Sequence, residues 1–386
     1  MDSRTVRVCV AVAIVAGLAA GVGILCLNSG YEHTKDSFEV TVLGNDSYNN
    51  YVIDLTDEKV EAHGMKLGEQ VELNIGGKIC KGQMTTLTSG TPLFGIFIDR
   101  VASDEYVFGM FCYDVSTVFD LQPGSTFTLT HEGIISEQVQ KIPNYMSGYS
   151  DNPEDFYKAE YYANFREIVP GDLKDDTFYR SASPYSTYGT QRHIYVDRLL
   201  EEAGVECLLL LNVNLADIVD SWPTDCYSYK LLQEGKVIAI KFSPAIFNYE
   251  DQAALFMETI ASTEGKINIS CALGKDRTGY YVAMLEALAG ATYSEIRDDF
   301  MTTLCNFYDI KSYSEEYETL ACMLIDPFFY ILEHPEILSD PTVVDWSHLK
   351  LDVDSVDAYG CVYSYLTQRV GVSEEVMQSV LERILA

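Results

Sequence analysis

The stretch that most constrains the fold runs from Lys266 to Gly290, KINISCALGKDRTGYYVAMLEALAG. KINIS reads as a short strand that ends at Ser270. GYYVAMLEALAG is a helical run. Only Cys271-Ala272-Leu273-Gly274-Lys275-Asp276-Arg277 joins them, and the helix opens at Thr278. A strand feeding a helix through so short a loop is a βα unit. The neighbouring runs extend it: ECLLLLNV and KVIAIKF read as buried strands, YEDQAALFMETIAST as a helix. This order predicts an α/β domain with a largely parallel sheet. From about residue 290 the pattern is helical to Ala386.

The loop has its own chemistry. Backbone N–H groups of a tight turn at a helix N-terminus converge on an anion, and the helix dipole adds favourable potential. Gly274 permits a turn that a side chain would block. The same cradle stabilises a thiolate at Cys271. A thiolate there can attack phosphorus and form a phosphocysteine, which water hydrolyses. Arg277 can return to hold two phosphoryl oxygens. Lys275 adds a second positive charge, and Thr278 can hydrogen-bond the departing sulfur. The candidate site is therefore Cys271 and Arg277, with Ala272, Leu273, Gly274, Lys275, Asp276 and Thr278 completing the phosphate cradle.

At these residues the chain resembles the protein tyrosine phosphatase superfamily, in particular its bacterial branch with a GKDRTG loop, whose members act on phosphotyrosine and phosphoinositides. Asn164-Phe165-Arg166-Glu167 resembles the family's N-F-R-D entry, and Phe178-Tyr179-Arg180-Ser181-Ala182 its L-Y-R-S-A strand. The tail from Ala358, AYGCVYSYLTQRVGVSEEVMQSVLERIL, resembles its closing helix pair. The resemblance covers roughly residues 160–386 and implies a helical lid over residues 300–350. Two positions depart from the pattern: Ser270 stands where a histidine is usual, and Leu211-Asn212-Val213-Asn214-Leu215 stands where D-L-R is usual.

The leaving group needs a proton donor. Trp222-Pro223-Thr224-Asp225 imitates the Trp-Pro-Asp loop of the animal enzymes, but the order of elements puts the equivalent slot at Ser243 to Asp251. Glu250 and Asp251 there read as first-turn helix charges. In the resembling branch the acid is the loop aspartate, so Asp276 ranks first, then Asp251 and Asp225.

Upstream, residues 38–131 hold seven short β-branched or aromatic runs: FEVTVL, YVIDL, QVELNI, KICKGQMTTL, LFGIFIDRV, YVFGMFCYDV and TFTLTH. Gly44-Asn45-Asp46, Gly76-Gly77 and Pro123-Gly124 separate some of them, predicting a small all-β domain, a barrel or a sandwich. LGEQVELNIGG and LQPGSTFTLT resemble the C-terminal β-barrel of the adenosylmethionine hydrolase and halogenase family, which implies a fold and no activity. Residues 132–160 read as a polar connector and 161–386 as the phosphatase-like domain. Residues 1–30 contain an uncharged stretch, Val8 to Leu27, long enough to span about 30 Å of hydrocarbon as a helix. With Arg4 and Arg7 before it, this predicts a transmembrane signal anchor with the remainder outside the cytoplasm, or a secreted protein if the segment is cleaved.

The formal net charge of -32 disfavours nucleic acid as a partner. The ten cysteines show no C-x2-C pair and the six histidines no ligand spacing, so neither metal nor cofactor is expected, and no disulfide is forced. The expected activity is hydrolysis of phosphotyrosine on a protein, with phosphoinositide or inositol-phosphate hydrolysis, or phosphate capture without turnover, as alternatives.

Overall fold

The computed structural model describes residues 36–385 except 47–48, 67, 87–94, 111–112, 136–147, 186–190, 244–245, 341 and 343–350. Seven strands build a closed barrel: β1 (Asp36–Asn45), β2 (Tyr51–Ile53), β3 (Glu69–Ile75), β4 (Lys78–Thr86), β5 (Ile96–Ala102), β6 (Glu105–Met110) and β7 (Thr126–Ile135), in the spatial order β1-β2-β6-β5-β4-β3-β7. Alternate residues point inward, as the two-residue period requires, so Val40, Val42, Val71, Leu73, Ile98, Phe108 and Leu129 fill the interior. The β3–β4 hairpin turns on Gly76 and Gly77, with φ of +60° and +89°. Two successive positive φ values match the twist of the flanking strands, and glycine adopts them without a side-chain clash. A short helix, α1 (Val115–Val118), sits at the rim between β6 and β7.

The second sheet has five strands: β8 (Arg166–Glu167), β9 (Phe178–Ala182), β10 (Cys207–Leu210), β11 (Val237–Ala239) and β12 (Ile267–Cys271), in the order β11-β10-β12-β9-β8. The helices that matter for the site are α2 (Ala159–Ala163), α3 (Arg192–Ala203), α4 (Glu250–Ser262), α5 (Asp276–Leu288), α6 (Tyr293–Tyr308), α7 (Glu315–Leu324) and α8 (Asp326–Glu333). At the C-terminus follow α9 (Ala358–Ser364), a π-helical turn (Tyr365–Val370) and α10 (Glu374–Ile384).

Two expectations are corrected here. A largely parallel sheet does not describe the chain. All but one of the described barrel ladders are antiparallel, β4–β5 being the exception; in β3–β4 and β5–β6 this follows from tight turns, which join only antiparallel neighbours. The five-stranded sheet is mixed: β9 to β12 run parallel, and β8 folds back antiparallel on β9. The expected transmembrane helix falls within residues 1–35, outside the described residues, and among the described residues no helix is long and apolar enough to cross a membrane.

The barrel and the second sheet with its helices belong to one compact unit, Ser37–Ala386. Phe247 is fully buried where they meet. Its ring lies 5.9 Å from that of Tyr113 on the barrel side, and 5.3 Å and 5.8 Å from those of Phe328 and Tyr365. Burying such a ring contributes about 1.5–3 kcal/mol. The Lys78–Asp340 ion pair, at 2.7 Å, also joins the barrel to the rest of the unit, but it is more than a third exposed on both sides and adds about 1 kcal/mol at most.

Candidate active site

All five residues of β12 are buried, and Cys271 ends the strand at 4% exposure. The loop after it lies at the carboxyl ends of the parallel strands, where open α/β sheets place their ligand crevice. Arg277 is in the first turn of α5, and its Nη1 donates to the carbonyls of Phe242 (3.1 Å) and Leu211 (3.5 Å), just past the ends of β11 and β10. Its guanidinium is thus held at the carboxyl edge of the sheet that Cys271 also ends. By helix geometry the first N–H groups of α5 lack intrahelical acceptors, leaving them for an anion.

Gly274 has φ +68°, and a Cβ there would run into the Ser181 carbonyl. The loop therefore passes hard against the end of β9. The Ser183 N–H also donates to Ala272 O at 3.3 Å.

Two motifs distant in sequence converge behind the loop. Asn164, at φ +50°, donates from Nδ2 to the carbonyls of Leu273 (3.1 Å) and Gly274 (3.2 Å). Arg180, fully buried on β9, donates from Nη2 to Gly274 O at 3.0 Å. Turning these carbonyls inward is the counterpart of leaving amides for a ligand. Arg166 braces Asn164 (Nη1 to Oδ1, 2.8 Å), and both arginines pair with Asp299 of α6. Burial alone would raise the pKa of Asp299, but Arg166 and Arg180 outweigh it and keep the carboxylate ionised. Glu286 of α5 is the reverse case. Burial first, then the charge of Asp299, pushes its pKa well above the usual carboxyl range, and as an acid it donates to Asp299. Sequence reasoning missed Asp299 and Glu286. The one available signal was Glu286 as the single charge in the apolar run of α5.

Lys275 is buried, and its Nζ lies 3.6 Å from Asp276 Oδ1. Burial opposes its charge, yet Asp276 and Tyr308, at the end of α6, overcome this and hold its pKa above the ordinary lysine value. Asp276 itself is exposed in the first turn of α5. Thr278 and Ser270 are fully buried, with hydroxyls that have no protein hydrogen-bond partner. The other acid candidates stand apart from the loop sequence. Asp225 is exposed in a turn, Asp251 is exposed in the first turn of α4, and Glu250 pairs with Arg369 at 3.0 Å. Among the described residues no group of three His, Cys, Asp or Glu is arranged to hold a metal. Cys80, Cys207, Cys226, Cys271, Cys305, Cys322 and Cys361 are free thiols. Burial pushes Cys80, Cys207 and Cys322 up to about 11 and Cys361 up to about 12, so these four stay protonated at neutral pH.

The strand–loop–helix lies within the part of the chain, residues 232–386, that matches the model of the tyrosine phosphatase family. Residues 232–386 belong to the tyrosine phosphatase family. The phosphatase is thereby a phosphoester hydrolase of the cysteine type. Three solved structures are similar at low TM-scores. One is an uncharacterized conserved protein from Thermotoga maritima, with 12% identity over 24% of this chain and 35% of that one, and TM-score 0.22. The second is the core catalytic domain of the PP-IP phosphatase SIW14 from S. cerevisiae in complex with citrate, with 16% identity over 48% of this chain and all of that one, and TM-score 0.23. The third is a Siw14 catalytic core, with 15% identity over 48% of this chain and 99% of that one, and TM-score 0.23. No curated protein matches the phosphatase by sequence.

Proposed function

We propose that the chain hydrolyses phosphotyrosine, with Cys271 as nucleophile, Arg277 as phosphoryl clamp and Asp276 as general acid. The observation that carries this reading is the 4% exposure of Cys271 at the foot of the loop. A phosphoryl group reaches such a sulfur only on a long, slim arm, and an aryl phosphate supplies one. The Cys271 thiolate attacks phosphorus, and the P–O bond to the aryl group breaks. Asp276 gives its proton to the leaving phenolate. Arg277 binds two of the transferring oxygens bidentately, and the amides of the loop and first helical turn take the remaining charge. Water, deprotonated by the Asp276 carboxylate, then attacks the phosphocysteine. The P–S bond breaks, the thiolate returns, and the Thr278 hydroxyl is available to hydrogen-bond it.

The alternative substrates, phosphoinositides and inositol phosphates, call for a second cation at the mouth of the loop. Lys275, the second positive charge of the loop, would be that cation, but its ammonium is turned to Asp276 at 3.6 Å, which favours the aryl monoester.

The test compares a phosphotyrosyl peptide, a phosphoinositide and inositol hexakisphosphate as substrates, with Cys271→Ser and Arg277→Ala beside the wild type. Cys271→Ser is expected to lose turnover and keep phosphate binding, and Arg277→Ala to lose both. Hydrolysis surviving in Cys271→Ser would sink the mechanism. A kcat/KM higher on an inositol phosphate than on the peptide would sink the substrate assignment.

A further inference from the structure

The barrel reaches the active site along a line of hydrogen bonds. Asp114, at the barrel rim, is 5% exposed. Its Oδ1 caps α1, accepting the Ser116 N–H at 2.9 Å. Its Oδ2 is directed to another part of the chain, accepting from Tyr249 OH at 3.0 Å as well as from Asn49 Nδ2 at 2.7 Å. Its backbone N–H donates to Asn248 Oδ1 at 2.6 Å, and Asn248 Nδ2 returns to Thr117 Oγ1 at 2.9 Å. Tyr249 is the N-cap residue immediately before α4. From there the Gln252 N–H donates to Tyr249 O at 2.9 Å, and Gln252 Oε1 accepts the Ser243 N–H at 2.8 Å. The residue before Ser243 is Phe242, whose carbonyl accepts Nη1 of Arg277 at 3.1 Å. Its ring lies 5.1 Å from that of Tyr281 on α5, the helix that carries Arg277.

We infer that the barrel is part of the catalytic apparatus, with Asp114 a positioning residue that sets the Arg277 guanidinium through Tyr249, Gln252, Ser243 and Phe242. A bidentate clamp works only when the guanidinium plane meets the phosphoryl oxygens in register. The Phe242 carbonyl fixes that plane from behind. Each link between this carbonyl and the barrel is short, and the two ends are anchored in packed structure. The inference rests on the reading of Arg277 as the phosphoryl clamp. Arg277→Ala therefore accompanies the experiment, because its failure to lose phosphate binding would sink that reading, whatever the other variants do.

The test uses the full chain, p-nitrophenyl phosphate as substrate and inorganic phosphate as competitive inhibitor. Tyr249→Phe removes the hydroxyl and keeps the ring. Gln252→Ala cuts the line at its middle. Each is expected to raise KM and the phosphate Ki by about three- to tenfold, the worth of one hydrogen bond. The double variant should be no worse than the poorer single one, since a line cut once has nothing left to lose. A purely structural role would instead reduce the active fraction, lowering kcat while KM and Ki stay put. That result overturns the inference. So do unchanged kinetics in both variants, or effects of the two substitutions that simply add.

Discussion

Replacing Gly274 with alanine probes the loop at the point where its path is most tightly specified. The residue sits at φ +68°, a conformation that costs a residue with a side chain about 1–2 kcal/mol. Stiffening the unfolded chain returns about 0.4–1 kcal/mol of this, so the backbone alone leaves a loss near 1 kcal/mol. The contact matters more. The new Cβ would lie 2.9 Å from Ala182 N as well as against the Ser181 carbonyl, where about 3.5–4 Å is comfortable. β9 cannot retreat, because it is buried along its length and paired to β12 residue by residue, Ser181 opposite Ser270 and Ala182 opposite Cys271. The loop must move instead, stretching the bonds of Asn164 and Arg180 to its carbonyls. Overpacking of this kind costs about 1–3 kcal/mol of stability. A displacement near 1 Å at a catalytic loop costs about a hundredfold in rate. Steady-state kinetics on p-nitrophenyl phosphate and a thermal melt, run on the same preparation, measure both. We expect kcat/KM to fall by about two orders of magnitude while the protein still melts cooperatively. A Gly274→Ala enzyme within about threefold of wild type would show that the loop has slack, and would refute the account of how β9 shapes it.

Two further outcomes follow from the electrostatics. Glu286 has a folded pKa raised above its unfolded value of 4.5, so its contribution to stability is complete below that pH and is lost as pH rises toward the folded value. Glu286→Gln keeps a donor for Asp299 and does not titrate. In urea melts the variant should match wild type near pH 4 and gain on it as pH rises, by about 1.4 kcal/mol for each pH unit over which only the folded state holds the proton; parallel stability profiles would contradict this. The acidic body, with net charge -32, repels a phosphate dianion at long range, whereas the loop acts only at contact. Raising sodium chloride from about 10 to about 100 mM shortens the screening length from roughly 30 Å to roughly 10 Å, so kcat/KM on a phosphotyrosyl peptide should rise, most for acidic peptides. A steady fall for every peptide would mean that a local basic surface dominates the encounter.

The strand, the loop and the helix around Cys271 could be read from the sequence because they are contiguous. A short strand, a seven-residue loop and an apolar helix are local patterns, and local patterns survive in one dimension. The seven β runs were legible as strands for the same reason. Closure of the barrel was not, since it depends on β7 meeting β1 across the whole length of the domain. The direction of the sheet was misjudged because β8 is two residues long and pairs backwards on β9, which no periodicity reveals. Asn164 is 109 residues from Leu273, Arg180 is 94 from Gly274 and 119 from Asp299, and only tertiary packing brings them to the loop carbonyls or to one another. Lys275 shows the limit from the other side. Its charge and its neighbourhood with Arg277 are sequence facts, but its burial, with the ammonium 3.6 Å from Asp276 Oδ1, is a product of the tertiary structure. The proposed nucleophile and clamp, Cys271 and Arg277, are chemistry that one short contiguous loop can state. The second layer that holds the loop open, and the line of bonds from the barrel to Arg277, exist only once distant side chains are buried together, because burial is what makes each of those polar groups require a partner.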